Sequence, residues 1–443
     1  MKKTTIITLV ILFLFILGTS LALAQTSGYI TLLPVVSKDT AIEPAAYTQD
    51  GGSVSETHKT YVATEDDQSA VYVTNSGEFT LDYATITKSG DSSSNDNSSF
   101  YGLNAAVLAE AGSSIDLSNA TITSTGSGAN GAFSTGSGSV VNLTDITILA
   151  EGGGAHGVMA TQQGVMTLIN VDITTTGANS APIATDRGSG TITVSGGESL
   201  TSGNDSPCLY STGLLTISDY ACTATASEMA VIEGANSIDL TNSTLTSSAE
   251  DKWGVMIYQS MSGDADGTLG VFTMTGGLLD FTAASGALFF NTNSTAIITL
   301  NGVDVSAASG ILVEAAGTDR WGTVGENGGI TQLTANGQTL VGDMVVDAIS
   351  SIDVTLQNAS SLTGALNTAN TGTLSLTLDA SSTWTVTADS YLTSLCDADG
   401  ISGTTVTNII GNGYTVYYVA SACPELGGLT YTLSGGGTLQ PTE

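Results

Sequence analysis

Three short strings carry residue types that could do chemistry: Asp186-Arg187-Gly188, Asp251-Lys252-Trp253-Gly254 and Asp319-Arg320-Trp321-Gly322. Each sets an acid beside a base, just ahead of a glycine suited to a tight turn. Two of them add an indole, which offers a flat apolar face with one polar edge. The plain reading is a local ion pair that pins a turn, a contact of modest worth. The sharper reading is a glycan-binding corner built from Asp186, Arg187, Trp253, Arg320 and Trp321. Arg187, Lys252 and Arg320 are the only basic residues after residue 90. A cleft for polyanionic sugars needs more cations than that.

Other candidates are thinner. His156 stands in Gly154-Ala155-His156-Gly157, similar to the Gly-His-Gly of polygalacturonases, but the Arg-x-Lys those enzymes also need is missing. It reads as a turn residue. Asp264-Ala265-Asp266-Gly267 looks like a fragment of a calcium loop without its third acid or distant Glu. Asp264 and Asp266 are therefore the metal candidates, with Ca2+ the only cofactor considered. Ser89–Tyr101, carrying Asp91 and Asp96, is a weaker version of the same idea. No phosphate loop, zinc spacing or Ser/His/Asp arrangement stands out. No catalytic residue is assigned.

Of the four cysteines, Cys396 and Cys423 sit at nearly equal phase in successive repeats and are expected to pair. Cys208 and Cys222 are out of phase, so a bridge between them or simple burial both stay open.

These residues need a scaffold, and the repeat supplies it. Gly112–Thr123 shows the unit: an apolar pair two apart, then Asn, Asp or Gly, then another apolar residue. Thirteen anchors run from Leu81 through Leu117, Leu143, Leu168, Val194, Ile217, Leu240, Met274 and Leu300 to Leu333, Leu356, Leu378 and Val406. The interval is about 27 residues, in the range of solenoid repeats. Two residues after the anchor lies Asn119, Asp145, Asn170, Gly196, Asp219, Asn242, Gly276, Gly302 or Asn358, types that tolerate left-handed backbone. Further apolar positions follow five and fifteen residues after the anchor. The pattern predicts an all-β parallel β-helix of about 13 coils, three short strands per coil, with ladders of like residues pointing inward. At ~4.8 Å per coil the rod is roughly 60 Å long.

Three repeats are long. Their extra residues fall in Ser89–Tyr101, Ser262–Gly270 and Ala315–Gly329. Insertions in solenoids become edge loops that often bind ligands. The last two precede their anchor strand and are expected at one corner, the first elsewhere. The expected organisation is a signal peptide over 1–24, an arm over 25–51, the β-helix over 52–380, and last coils with a C-terminal cap over 381–443. Trp384, Tyr391, Tyr414, Tyr417, Tyr418 and Tyr431 make the last part aromatic, as covering an open coil end requires.

The chain has 8 Lys+Arg against 41 Asp+Glu, a formal net charge of −33. That excess repels phosphate, so nucleic acid and anionic membranes are not expected partners. Lys2 and Lys3, the apolar run Ile6–Leu17 and Ala22-Leu23-Ala24 read as a secretory signal, or, if uncleaved, as an anchor helix. No second stretch is long and apolar enough to span a bilayer. A secreted or cell-surface location follows.

Several strings resemble, as a set, the exported, adhesin-like β-helix proteins of bacteria and methanogenic archaea, within the pectin-lyase-like architecture. They are Gly128–Phe133, Thr185–Gly190, Ser206–Gly213, Val231–Ile238 and Tyr258–Asp264. The resemblance implies a right-handed helix and surface display, and carries over no catalytic residue. The expectation is a non-catalytic adhesin-like or envelope structural protein that meets surface glycans or envelope components through loops or flat faces. The alternative is a carbohydrate-active enzyme, lyase- or hydrolase-like, centred on Asp186, Arg187 and nearby acids.

Overall fold

A computed structural model describes residues 45–442. The signal-like segment and most of the expected arm lie outside the described residues. The chain is a parallel β-solenoid of about 16 turns. More turns are present than the 13 anchors suggested, because strands without the apolar pair also complete coils. Tyr47–Asp50 pairs with Val71–Thr74, and Ser53–Thr57 with Glu78–Asp82. The stacked sheet thus begins inside the stretch read as an arm.

The predicted phase is the observed one for most of the rod. Leu81, Leu117, Leu143, Leu168, Val194, Ile217, Leu240, Met274 and Leu300 occupy one column of paired strands. Ile115, Leu117 and Ile122 are all nearly fully buried. Burying such ladders on every turn is the main source of the rod's stability. The register departs at two anchors. Leu300 pairs with Ala335, not Leu333, which belongs beside Ile298. Val406 pairs into the terminal sheet and lies outside the column.

The turn ladder is held by left-handed backbone. Asn119, Asp145, Asn170, Asp219, Asn242 and Asn358 all have φ between 50° and 57°. Asn119 N–H donates to the Thr144 carbonyl of the next coil at 3.0 Å, and the Asn170 amide reaches the Asp145 carboxylate at 3.2 Å. Short polar side chains tolerate this conformation and satisfy the neighbouring turn.

Two strands of each coil alternate buried and exposed residues, as in Ser114–Ser118. The third differs. Its equivalents form a twelve-strand sheet that includes Ala132–Thr135, Val158–Thr161, Ile183–Asp186 and Ala230–Glu233, and in these four every residue is buried. Something therefore covers the outer face of that sheet. Helix α1 (Asn95–Tyr101) lies over one part, and the other two insertions leave from the end of this sheet farther along.

The last coils plug the rod. Trp384 is fully buried and its indole N–H donates to the Gly364 carbonyl at 2.9 Å. The pairs Ile401↔Val406 and Tyr431↔Leu439 are antiparallel, breaking the parallel stack. Tyr418 and Tyr431 are buried, with hydroxyls on the carbonyls of Leu429 and Leu426.

The cysteine pairing is corrected. Cys208 and Cys222 form the disulfide, with Cα atoms 6.0 Å apart. Both point into the rod from two different walls, so the bridge crosses the interior, and equal phase is not required. Cys396 is exposed and Cys423 buried, both as free thiols. Cys396 faces outward at the end of the strand Ser394–Cys396, whereas Cys423 sits buried in the link between two short 3-10 turns, Ala420–Ala422 and Pro424–Leu426. Cys423 Sγ instead accepts the Leu395 N–H at 3.0 Å.

Candidate functional site

The outer face of the twelve-strand sheet carries two columns of side chains. Register places Phe133, Met159, Ala184, Tyr210, Val231, Met256 and Phe290 in one. The second column holds Thr161, Asp186, Glu233 and Tyr258 among others. An apolar strip thus runs beside a polar one along the rod axis. Between them and the edge turns lies a groove of about 620 Å³.

The insertions shape its ends. Ser94 caps α1 by accepting the Asn97 N–H, and Gly102 ends it at φ 76°. A Cβ on Gly102 would lie 2.6 Å from Leu108 Cδ1, so only glycine allows this close approach. The helix docks when Thr161 Oγ1 donates to the Phe100 carbonyl at 2.8 Å. The second insertion folds around Gln259, whose amide donates to the carbonyls of Ala265 and Gly267. The third is gathered by Asn327, whose amide reaches the carbonyls of Thr318 and Trp321. As expected, the last two share a corner and the first does not. All three nevertheless converge on one face.

Four of the five residues proposed as a ligand corner come to this groove. Asp186, Trp253, Arg320 and Trp321 line it, and Arg187 stands behind Asp186. Trp253 stacks on Phe290 with ring centroids 4.0 Å apart and planes 6° from parallel. Trp321 packs against Tyr258 at 4.9 Å, and the Arg320 guanidinium sits 4.7 Å over the Trp321 ring. Arg187 lies 3.9 Å over Phe100 and donates to Asp264 Oδ1 at 2.8 Å. This ion pair joins residues far apart in sequence, where the sequence pattern offered a bond within one turn.

Asp264 therefore serves Arg187 on one oxygen and the Ser262 hydroxyl, at 2.8 Å, on the other. Asp266 is exposed, and its backbone carbonyl accepts the Ala235 N–H. Among the described residues no three His, Cys, Asp or Glu side chains group as metal ligands.

Carboxyl groups gather at the centre. Asp186 Oδ1 accepts the Arg187 N–H at 2.7 Å. Burial, reinforced by the charges of Asp264 and Glu233, pushes the Asp186 carboxyl up to about 8. Glu233 is 1% exposed and its Oε2 accepts the hydroxyls of Tyr210 at 2.7 Å and Tyr258 at 2.8 Å. Ser260 donates to its other oxygen. Burial raises both phenols well above the ordinary tyrosine range, so they donate at any neutral pH. Lys252 contacts the Asp205 carboxylate and lies 3.9 Å from Glu228. His156 also lines the groove, and burial lowers its ring to about 4, leaving it neutral.

No protein-family model and no curated protein matches this chain. The site is therefore read from its own chemistry. Flat rings, acceptor-only carboxylates and phenol hydroxyls on one open groove suit a polyhydroxylated chain. Glu233, Tyr210 and Tyr258 escaped the sequence reading. The signal for them was present: each lies on a strand equivalent to Ile183–Asp186, at an outward position.

Proposed function

We propose that this is an exported, adhesin-like β-solenoid that holds a glycan in the groove on its twelve-strand sheet. The carrying observation is the convergence of Trp253, Trp321, Tyr210 and Tyr258, from three different coils, along one groove. Aromatic faces pack on the C–H faces of sugars, and the carboxyl groups accept their hydroxyls. The signal-like N-terminal sequence and the Cys208–Cys222 disulfide support a secreted or cell-surface location. The test is a glycan array probed with the wild type and with Trp253→Ala and Trp321→Ala. Binding that drops about tenfold or more in each variant supports the reading, since aromatic anchors dominate such sites. Unchanged binding to every retained glycan refutes it.

A second reading, hydrolysis of that glycan, rests on Asp186. A buried carboxyl that keeps its proton near neutrality can protonate a glycosidic oxygen, and Glu233 and Asp264 stand near it as partner carboxylates. Release of reducing ends by the wild type and its loss in Asp186→Asn, with glycan binding retained, would establish it. A wild type that binds a glycan and never cleaves it would leave binding alone.

A further inference from the structure

We infer that the groove takes an uncharged linear glycan lying along the solenoid axis and turns away polyuronates and sulfated chains. The inference rests on the glycan reading above and adds the substrate class. The direction follows from the walls. Ser127, Gly153, Ala178, Asp205, Glu228 and Lys252 line one side and come from six successive coils. Five coil spacings of ~4.8 Å give a wall roughly 24 Å long. The site is thus shaped for several consecutive units of a chain.

The charge follows from how each cation is already engaged. Arg187 is 2.8 Å from Asp264 Oδ1 with its face against Phe100. Lys252 lies between Asp205 and Glu228. Arg320 rests on Trp321. At Arg187 and Lys252 a uronate or sulfate would have to displace a carboxylate of the protein's own, which leaves Arg320 as the one lining cation held by a ring alone. The anion would also approach Asp205 and Glu228 on a chain of net charge −33. Both effects oppose binding of an anion. A neutral sugar meets neither. Its hydroxyls can donate to the acceptor-only oxygens of Asp205 and Glu228 and to the Tyr258 hydroxyl oxygen, whose own proton goes to Glu233, while its apolar face covers Trp253 and Trp321.

The test uses the described protein on immobilised neutral glucans, mannans, xylans and galactans, on polygalacturonate and alginate, on a sulfated glycan, and on chitosan. Each is run at low and at physiological ionic strength. The expected result is retention by a neutral polymer, changed less than about twofold by salt because no ion pair forms with it. Polyuronates and sulfated chains are not retained. Asp205→Asn with Glu228→Gln leaves Lys252 without its carboxylates and is expected to gain retention by polygalacturonate at low salt. Trp321→Ala, on the opposite side of the groove, checks the same site independently if that double variant fails to fold. Tighter wild-type binding to a polyuronate, a sulfated glycan or chitosan than to every neutral polymer overturns the inference and leaves the glycan groove standing. Retention by no polymer of any class overturns the glycan reading and this inference with it.

Discussion

Arg187 Nη2 and Asp264 Oδ1 stand 2.8 Å apart although 77 positions separate the two residues. The contact ties the end of the strand Ile183–Asp186 to the second insertion. Both side chains are about a quarter exposed, so solvent weakens the pair without abolishing it. A double-mutant cycle on Arg187→Ala and Asp264→Ala is expected to give a coupling of about 1 kcal/mol in denaturant unfolding. Either single change should also speed proteolysis within Ser262–Gly267. A coupling near zero, with cleavage unchanged, would mean that the pair does not hold the loop.

The pH dependence of stability has a definite sign at Asp186. Its folded-state pKa of about 8 lies above the ordinary aspartate value, so the folded chain holds this proton more tightly than the unfolded one. Its contribution is fully present below about pH 4 and is lost as pH rises toward 8. Asp186→Asn removes the titration. Its unfolding midpoint should therefore gain on the wild type as pH rises from 4 to 8. A constant difference across that window would show that Asp186 titrates normally. His156 works oppositely: with its ring held near 4, stability that it contributes above about pH 6.5 is lost as pH falls toward 4.

The thiols should react in a fixed order. Exposed Cys396 is expected to take iodoacetamide in the folded protein, and buried Cys423 only after unfolding. Burial also raises the Cys423 thiol above its usual value, lowering its thiolate fraction. Cys208 and Cys222 should appear as a linked peptide on non-reducing mass mapping. Their separation of 14 residues makes the bridge worth about 2–4 kcal/mol, to be read as a lower unfolding midpoint for Cys208→Ala with Cys222→Ala. A linked Cys396–Cys423 peptide would overturn the assignment.

The turn ladder can be tested at one rung. Asn119 holds φ 52°, and its side-chain amide reaches the Asp82 carboxylate at 2.8 Å. Asn119→Ala should cost about 1–2 kcal/mol, from left-handed strain and the lost amide contact. Asn119→Gly removes the strain and should cost less. Gly277→Ala should be worse than either, because a Cβ there would lie 2.1 Å from the Ser243 carbonyl oxygen. Equal unfolding midpoints for the alanine and glycine variants at position 119 would remove backbone conformation as the reason for asparagine.

The repeat was legible because its causes are local. Leu117 must face inward, and Asn119 must turn the chain, within a dozen residues of each other. The same two requirements return on every coil, so periodicity reports them directly. The register slip at Leu333 came where the repeat changes length, since counting cannot see which of two apolar residues two apart takes the column, and Val406 departs because it belongs to the terminal sheet. Asp186, Arg187, Trp253, Arg320 and Trp321 could be singled out by composition, because bases and indoles are scarce in this chain.

Local residue preferences alone thus dictate the coil: its period, its inward ladder, its left-handed corner and the places where extra residues leave it. Tertiary structure alone decided what those extra residues do. Stacking brings Asp186, Glu233 and Tyr258 onto one face, and the three insertions fold back over that face to make a groove. It also chose Cys222 as the partner of Cys208, across the rod's interior. These contacts join coils and walls that are distant along the chain. They depend on side-chain direction and on the path of irregular loops, neither of which repeats, and so no period in the sequence could report them.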